Sequence, residues 1–123
     1  MATTEDRAFK TVQEIGRINA FFPILQQLGN RWAATRPWEG KVVALNLHIT
    51  SLTGALVREL TLGGGTFIVT AANQATTDPG TVEYLRGQGL EVYTGGDMKN
   101  RHLQALSHNP DFLIDVGFEL IST

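Results

Sequence analysis

His48 closes the apolar run KVVALNLHI and is followed at once by Ile49-Thr50. An imidazole at such a point can donate to and accept from a bound ligand, and it titrates near neutrality. It can equally cap a backbone carbonyl, and the sequence leaves both duties open. Thr50 offers its hydroxyl to a ligand or to the start of a helix over 51–62. Asn73 follows the apolar run TFIVTAA, with Thr76 and Thr77 close behind. Its amide can touch a ligand or hold a loop turn through its own backbone. Asp115 ends FLID, and Glu119 lies just beyond it. A carboxylate after an apolar strand needs partners, which are either backbone N–H groups or a substrate. His102 and His108 are six apart, which is no metal spacing, and both are expected on the surface. The sequence holds no cysteine, hence no thiolate nucleophile, thiolate zinc site or disulfide.

The elements that must position these groups follow from hydrophobic period. Over 4–34, Val12, Ile15, Ile18, Phe22, Leu25, Leu28 and Trp32 form one helical stripe, widened by Phe21 and Ile24. Thr3 and Asp6 resemble a capping box. Pro23 lacks an N–H and crowds the carbonyl of Asn19, so the helix must kink or restart there. From Trp38 onward strands alternate with helices. Lys41–Ile49, Thr66–Ala72, Leu90–Thr94 and Phe112–Val116 read as strands, the first buried on both faces. Ser51–Leu62, the segment opened by Asp78-Pro79, and Asp97–Ser107 read as helices. A strand recurs at a spacing of roughly 20–25 residues, the mark of βαβ units. The expected fold is three-layer α/β/α. It has a four-stranded parallel sheet of Rossmann-like or flavodoxin-like order, covered on both faces, plus an N-terminal helical segment. The domain reading is a single unit over 1–123, with 1–35 helical and 36–123 the α/β core. In such a sheet ligands bind outside the carboxyl ends of the strands, which is where His48, Thr50, Asn73, Thr76, Asp115 and Glu119 converge.

Composition narrows the function. The chain has 123 residues and a formal net charge of -2, with no basic stripe, so nucleic acid is not expected as a partner. No apolar run approaches the ~18 residues of a membrane span, and MATTEDRAFK has acids where a secretory leader needs positive charge. A cytoplasmic domain with no membrane partner is the expectation. Gly63-Gly64-Gly65 precedes a strand, so it is no phosphate loop. Thr94-Gly95-Gly96-Asp97 joins a strand to a helix but lacks the G-x-G-x-x-G spacing, and its acid would repel phosphate. Neither a metal nor a cofactor is therefore expected on this chain.

The segment RPWEGKVVALNLHITSLTGALVRELTLGGGTFIVTAANQATT resembles the first βαβ unit of the S-adenosylhomocysteine hydrolase family. That family typically shows a Pro-Leu-Lys-Gly lead-in, a strand ending Leu-His-Met-Thr, a helix ending Glu-Thr-Leu and a second strand ending Ser-Cys-Asn, with Ser-Thr just after. The counterparts here are Arg36 to Gly40, Leu47-His48-Ile49-Thr50, Arg58-Glu59-Leu60, Ala71-Ala72-Asn73 and Thr76-Thr77. FFPILQQL is similar to the family's Met-Pro-x-Leu helix, and NPDFLIDVGFEL stands where the family reads Met-Ile-Leu-Asp-Asp-Gly-Gly-Asp. The resemblance is remote and implies the family's substrate-binding region. It makes His48 and Thr50 nucleoside-pocket residues, followed by Asn73 and Thr76, and matches Asp115 to the first aspartate. It also departs. The second aspartate, a proton-transfer group in the family, is Val116 here. The acid that recognises the nucleoside is Leu52, the cysteine before the asparagine is Ala72, Phe118 replaces a glycine, and Glu119 replaces the last aspartate. The family's lysine, its Asp-Asn pair and its Gly-rich NAD-binding domain have no counterpart.

Three functions follow from the resemblance. The first is a subunit or fragment of a hydrolase-like assembly, inactive alone, whose NAD comes only from a partner chain. That chain, or another copy of this one, would dock through the N-terminal helix. The second is a pseudoenzyme or binding module for adenosine, S-adenosylhomocysteine or another small molecule, still tied to one-carbon metabolism. The third is a scaffold that keeps the fold without the pocket. His48 and Asp115 are the catalytic candidates.

Overall fold

The computed structural model describes residues 4–116 and Leu120. The N-terminal segment forms two helices, α1 (Thr4–Phe21) and α2 (Pro23–Thr35), parted at Pro23 as expected. The Phe22 N–H still reaches the carbonyl of Ile18 at 2.9 Å, but proline has no N–H to continue the ladder. Thr3 of the expected capping box lies outside the described residues. The core follows as β1 (Val42–Leu47), α3 (Ser51–Thr61), β2 (Thr66–Ala71), α4 (Pro79–Gly87), β3 (Glu91–Tyr93), α5 (Met98–Leu106) and β4 (Phe112–Asp115).

All strand pairs are parallel and the order is β3-β2-β1-β4. This is the Rossmann order and not the flavodoxin one, a choice that hydrophobic period alone cannot make. The pleat then sorts the side chains. Val43, Leu45 and Leu47 of β1, with Phe67, Val69 and Ala71 of β2 and Val92 of β3, face Val57 and Leu60 of α3 and Val82 and Leu85 of α4. The alternate positions, Ala44, Asn46, Ile68 and Thr70, are equally buried. They lie on the face that α5 covers with Arg101, His102 and Ala105. Outside the first face, α1 crosses α3 and α4, and α2 crosses α3. Ile15 of α1 is buried, while Val12 and Phe22 of the same stripe stay about half exposed, at 53% and 50%.

Two expectations are corrected. His102 is fully buried, not superficial, because its place one turn before Ala105 turns it to the sheet. The sheet is also not covered throughout. Phe112 and Ile114 are exposed at 50% and 43% and Leu113 at 37%, because the helices lie over the other three strands.

Between α2 and α3, Gly29 sits against the buried carboxyl of Glu59. A methyl at Gly29 would overlap Glu59 Oε2 and lie 3.2 Å from Leu62 Cδ1, so only glycine allows this approach. Burial pushes the Glu59 carboxyl above its ordinary range, and the neighbouring charge of Arg58 pulls it back. Gly65, at φ +86°, closes the turn into β2, where a side chain would meet the Lys41 carbonyl at 3.1 Å.

Candidate functional site

In the order β3-β2-β1-β4 the crossovers reverse direction between β1 and β4, and the crevice outside that point is where an open α/β sheet receives a ligand. The sequence delivers His48 to this crevice by ending β1 one residue earlier, so the ring stands exposed. His48 Nδ1 lies 2.8 Å from Thr76 Oγ1, joining the ends of β1 and β2. Thr76 is held in a short 3-10 turn, Gln74–Thr76, which Asn73 opens by accepting the Ala75 N–H on Oδ1 at 2.8 Å. The Asn73 carbonyl accepts the hydroxyls of Thr76 at 3.1 Å and Thr77 at 2.8 Å.

Thr50 is occupied by its helix. Its hydroxyl accepts the Thr53 N–H at 3.3 Å, and Thr53 Oγ1 accepts the Thr50 N–H at 2.9 Å, a reciprocal cap on α3. Thr53 Oγ1 is also a donor to the His48 carbonyl at 2.5 Å, so this cap fixes the backbone that carries the imidazole. Asp115 is Cα-paired with Asn46 across β1 and β4, as Thr70 is across β1 and β2. Asn46 Nδ2 donates to Asp115 Oδ1 at 2.9 Å, and Thr70 Oγ1 donates to Asn46 Oδ1 at 3.0 Å. Three adjacent strands thus share a polar ladder beneath the crevice. One partner of this carboxylate is thus a side-chain amide, where backbone N–H groups or a substrate were expected. Glu119 lies outside the described residues. Leu52, on the first turn of α3, and Val116, just after β4, are exposed apolar side chains at 53% and 40%.

Asn46, Gln74 and Arg101 are not among the residues expected at the site. Gln74 Nε2 donates to the carbonyls of Thr94 at 2.7 Å and Gly96 at 3.1 Å. Arg101 donates from Nε to the Ala71 carbonyl at 3.1 Å and from Nη1 to that of Gly96 at 2.8 Å. Together they pin the loop after β2 to the loop after β3. Asn46 did carry a signal: a polar residue inside an apolar run, two before His48 and therefore on the same side of the pleat. Gln74 and Arg101 carried none, because their acceptors are backbone carbonyls.

Among the described residues, the strand ends carry an imidazole (His48), the hydroxyls of Thr76 and Thr77, and the half-buried carboxylate of Asp115, groups suited to a polar, hydroxylated molecule. Among the described residues no group of three or more His, Asp or Glu side chains could hold a metal ion. The turn from β1 to α3 (Leu47 to Ser51) contains no glycine, and a side chain caps the start of each of α3, α4 and α5. Thr50 caps α3, Asp78 Oδ2 accepts the Thr81 N–H of α4, and Asp97 Oδ1 accepts the Asn100 N–H of α5.

The chain is a Rossmann-ordered α/β protein with polar side chains at the carboxyl ends of β1, β2 and β4. Its sequence is similar to adenosylhomocysteinases. That of Pyrobaculum aerophilum is 33% identical over 106 residues, covering 82% of this chain and 24% of the relative. That of Aquifex aeolicus is 34% identical over 113 residues, covering 82% of this chain and 26% of the relative. The S-inosyl-L-homocysteine hydrolase of Methanopyrus kandleri is 31% identical over 105 residues, covering 81% and 25%. The chain therefore spans about a quarter of the length of the curated relatives it matches, and no family model matches it. The resemblance to the S-adenosylhomocysteine hydrolase family holds, as a remote and partial one. Among the described residues no helix is long and apolar enough to cross a membrane.

Proposed function

We propose that this chain is the nucleoside-holding part of an S-adenosylhomocysteine-hydrolase-like assembly and that it does not turn over substrate alone. The observation that carries the reading is the His48–Thr76 pair at the ends of β1 and β2, in a chain whose sequence matches those hydrolases. His48 contacts a ligand hydroxyl, Asp115 offers the carboxylate, and Thr50, Asn73 and Thr76 shape the rim. NAD, which takes up the hydride in the family's reaction, is assigned to a partner chain; the glycine-free turn after β1 and the acidic caps of α4 and α5 support that assignment. The relatives' names include an adenosyl and an inosyl compound, so the ligand class is a purine nucleoside or its homocysteine thioether.

A second reading, a non-catalytic nucleoside-binding module, is favoured by Val116, which cannot move a proton where the resembling family has its second aspartate.

Calorimetric titration of adenosine, inosine and S-adenosylhomocysteine into the wild type and His48→Ala tests both readings, beside a turnover assay with and without NAD. The expected result is weak binding that falls about tenfold in His48→Ala, the equivalent of one lost hydrogen bond, with no turnover. Turnover by the chain alone would overturn the assignment, and binding indifferent to His48→Ala would remove the pocket.

A further inference from the structure

The proton count around Thr76 fixes more than a contact. Its hydroxyl has one proton and two oxygen or nitrogen neighbours that want it or offer one: the Asn73 carbonyl at 3.1 Å and His48 Nδ1 at 2.8 Å. A carbonyl can only accept. If the hydroxyl proton went to Nδ1, two oxygens would face each other at 3.1 Å with nothing between them. If it goes to the carbonyl, the hydroxyl oxygen is free to accept, and Nδ1 must donate. Both short contacts are satisfied only in the second arrangement. The Asn73 carbonyl also takes the Thr77 hydroxyl at 2.8 Å, which keeps it aimed into this cluster.

We infer that Thr76 is a positioning residue that holds neutral His48 as the Nδ1–H tautomer, leaving Nε2 as an exposed acceptor. The relay runs from His48 Nδ1–H to Thr76 Oγ1–H to the Asn73 carbonyl. Among the described residues nothing bonds Nε2. The group it recognises is therefore a donor, a ligand hydroxyl or amine. A bare carbonyl or carboxylate is not recognised, because no proton stands between it and the lone pair. Gln74 belongs to the same device, since its bonds to Thr94 and Gly96 hold the turn on which Thr76 sits. The identity of the ligand rests on the nucleoside reading above, whereas the tautomer does not.

The test is long-range proton–nitrogen NMR of imidazole-labelled protein at a pH that keeps the ring neutral. His48→Ala assigns the signals among the three histidines of the chain. The wild type is expected to show a protonated Nδ1 and a bare Nε2. Thr76→Val should move the ring toward the Nε2–H form, and Thr76→Ser should keep the wild-type pattern, with unchanged circular dichroism in both. Nucleoside affinity should fall in Thr76→Val by the same factor as the Nδ1–H fraction, since only that fraction is competent. A wild-type ring protonated on Nε2, or a pattern unmoved in Thr76→Val, would overturn the inference. An Nδ1–H ring in a protein that binds no nucleoside would sustain the positioning role and sink the nucleoside reading instead.

Discussion

Asn46→Leu is the perturbation that the polar ladder makes most informative. The substitution keeps the branching and the number of side-chain heavy atoms, with methyls bulkier than the amide they replace, at a position with no solvent exposure. It removes the acceptor of the Thr70 hydroxyl, itself fully buried, and the amide donor of Asp115. An orphaned buried hydroxyl costs about 1–3 kcal/mol, and a carboxylate losing a donor a similar amount, reduced here because Asp115 is only half-buried. The apolar leucine returns about 1–2 kcal/mol through burial. The expected net loss is about 2 kcal/mol, or about 6–10 °C in Tm for a chain of this size. Urea titration followed by circular dichroism measures it. Thr70→Val alone should cost about 1–2 kcal/mol by leaving Asn46 Oδ1 unpaired. The double variant should cost less than the sum, because each replacement then finds an apolar neighbour. An Asn46→Leu protein within about 0.5 kcal/mol of wild type, or strictly additive losses, would refute the ladder as a source of stability.

The buried carboxyl of Glu59 makes stability depend on pH in a definite direction. Its pKa is raised by burial, so the folded state binds more protons than the unfolded one across the window above the ordinary carboxylate range, and stability falls as pH rises through it. Glu59→Gln should therefore melt higher than wild type at neutral pH, with the gap closing at about pH 4, where both states are largely protonated; a lower Tm at neutral pH would contradict this. Phe9, Phe21 and Ile24 are exposed at 66%, 82% and 61%, more apolar surface than α1 and α2 of a lone copy would keep wet, so light scattering should give a mass above 13.4 kDa. A monomer mass at micromolar concentration would rule out self-association through these helices.

Much of the fold was legible because its signals are local. Pro23 announced the break between α1 and α2, Asp78-Pro79 the start of α4, and the β-branched run at Val42 and Val43 the central strand. Strand order was not legible, since nothing local in Val42–Leu47 says that Phe112–Asp115 will lie on its open side. His102 was misplaced for a related reason. Polarity argues for the surface, while its spacing from Ala105 argues for the sheet, and the spacing prevailed. At the site, His48 and Thr76 could be named from strand ends, but their pairing depends on a turn that Gln74, within it, and Arg101 of α5 tie to the loop after β3.

The ladder between β1 and β4 joins side chains 69 residues apart. During synthesis the chain emerges from its N-terminus, so both N-terminal helices, β1 and two more strands exist before the carboxylate that Asn46 needs. Until then the central strand has one open flank and its amide lacks a partner. β1, β2 and β3 can pair with one another while the bond between Asn46 and Asp115 is still to be made. Non-local parallel pairing of this kind is slow to form. The consequence is that the Asn46–Asp115 bond waits for the last strand, so a chain released short of Asp115 holds the residues of the His48–Thr76 pair but lacks the ladder between β1 and β4.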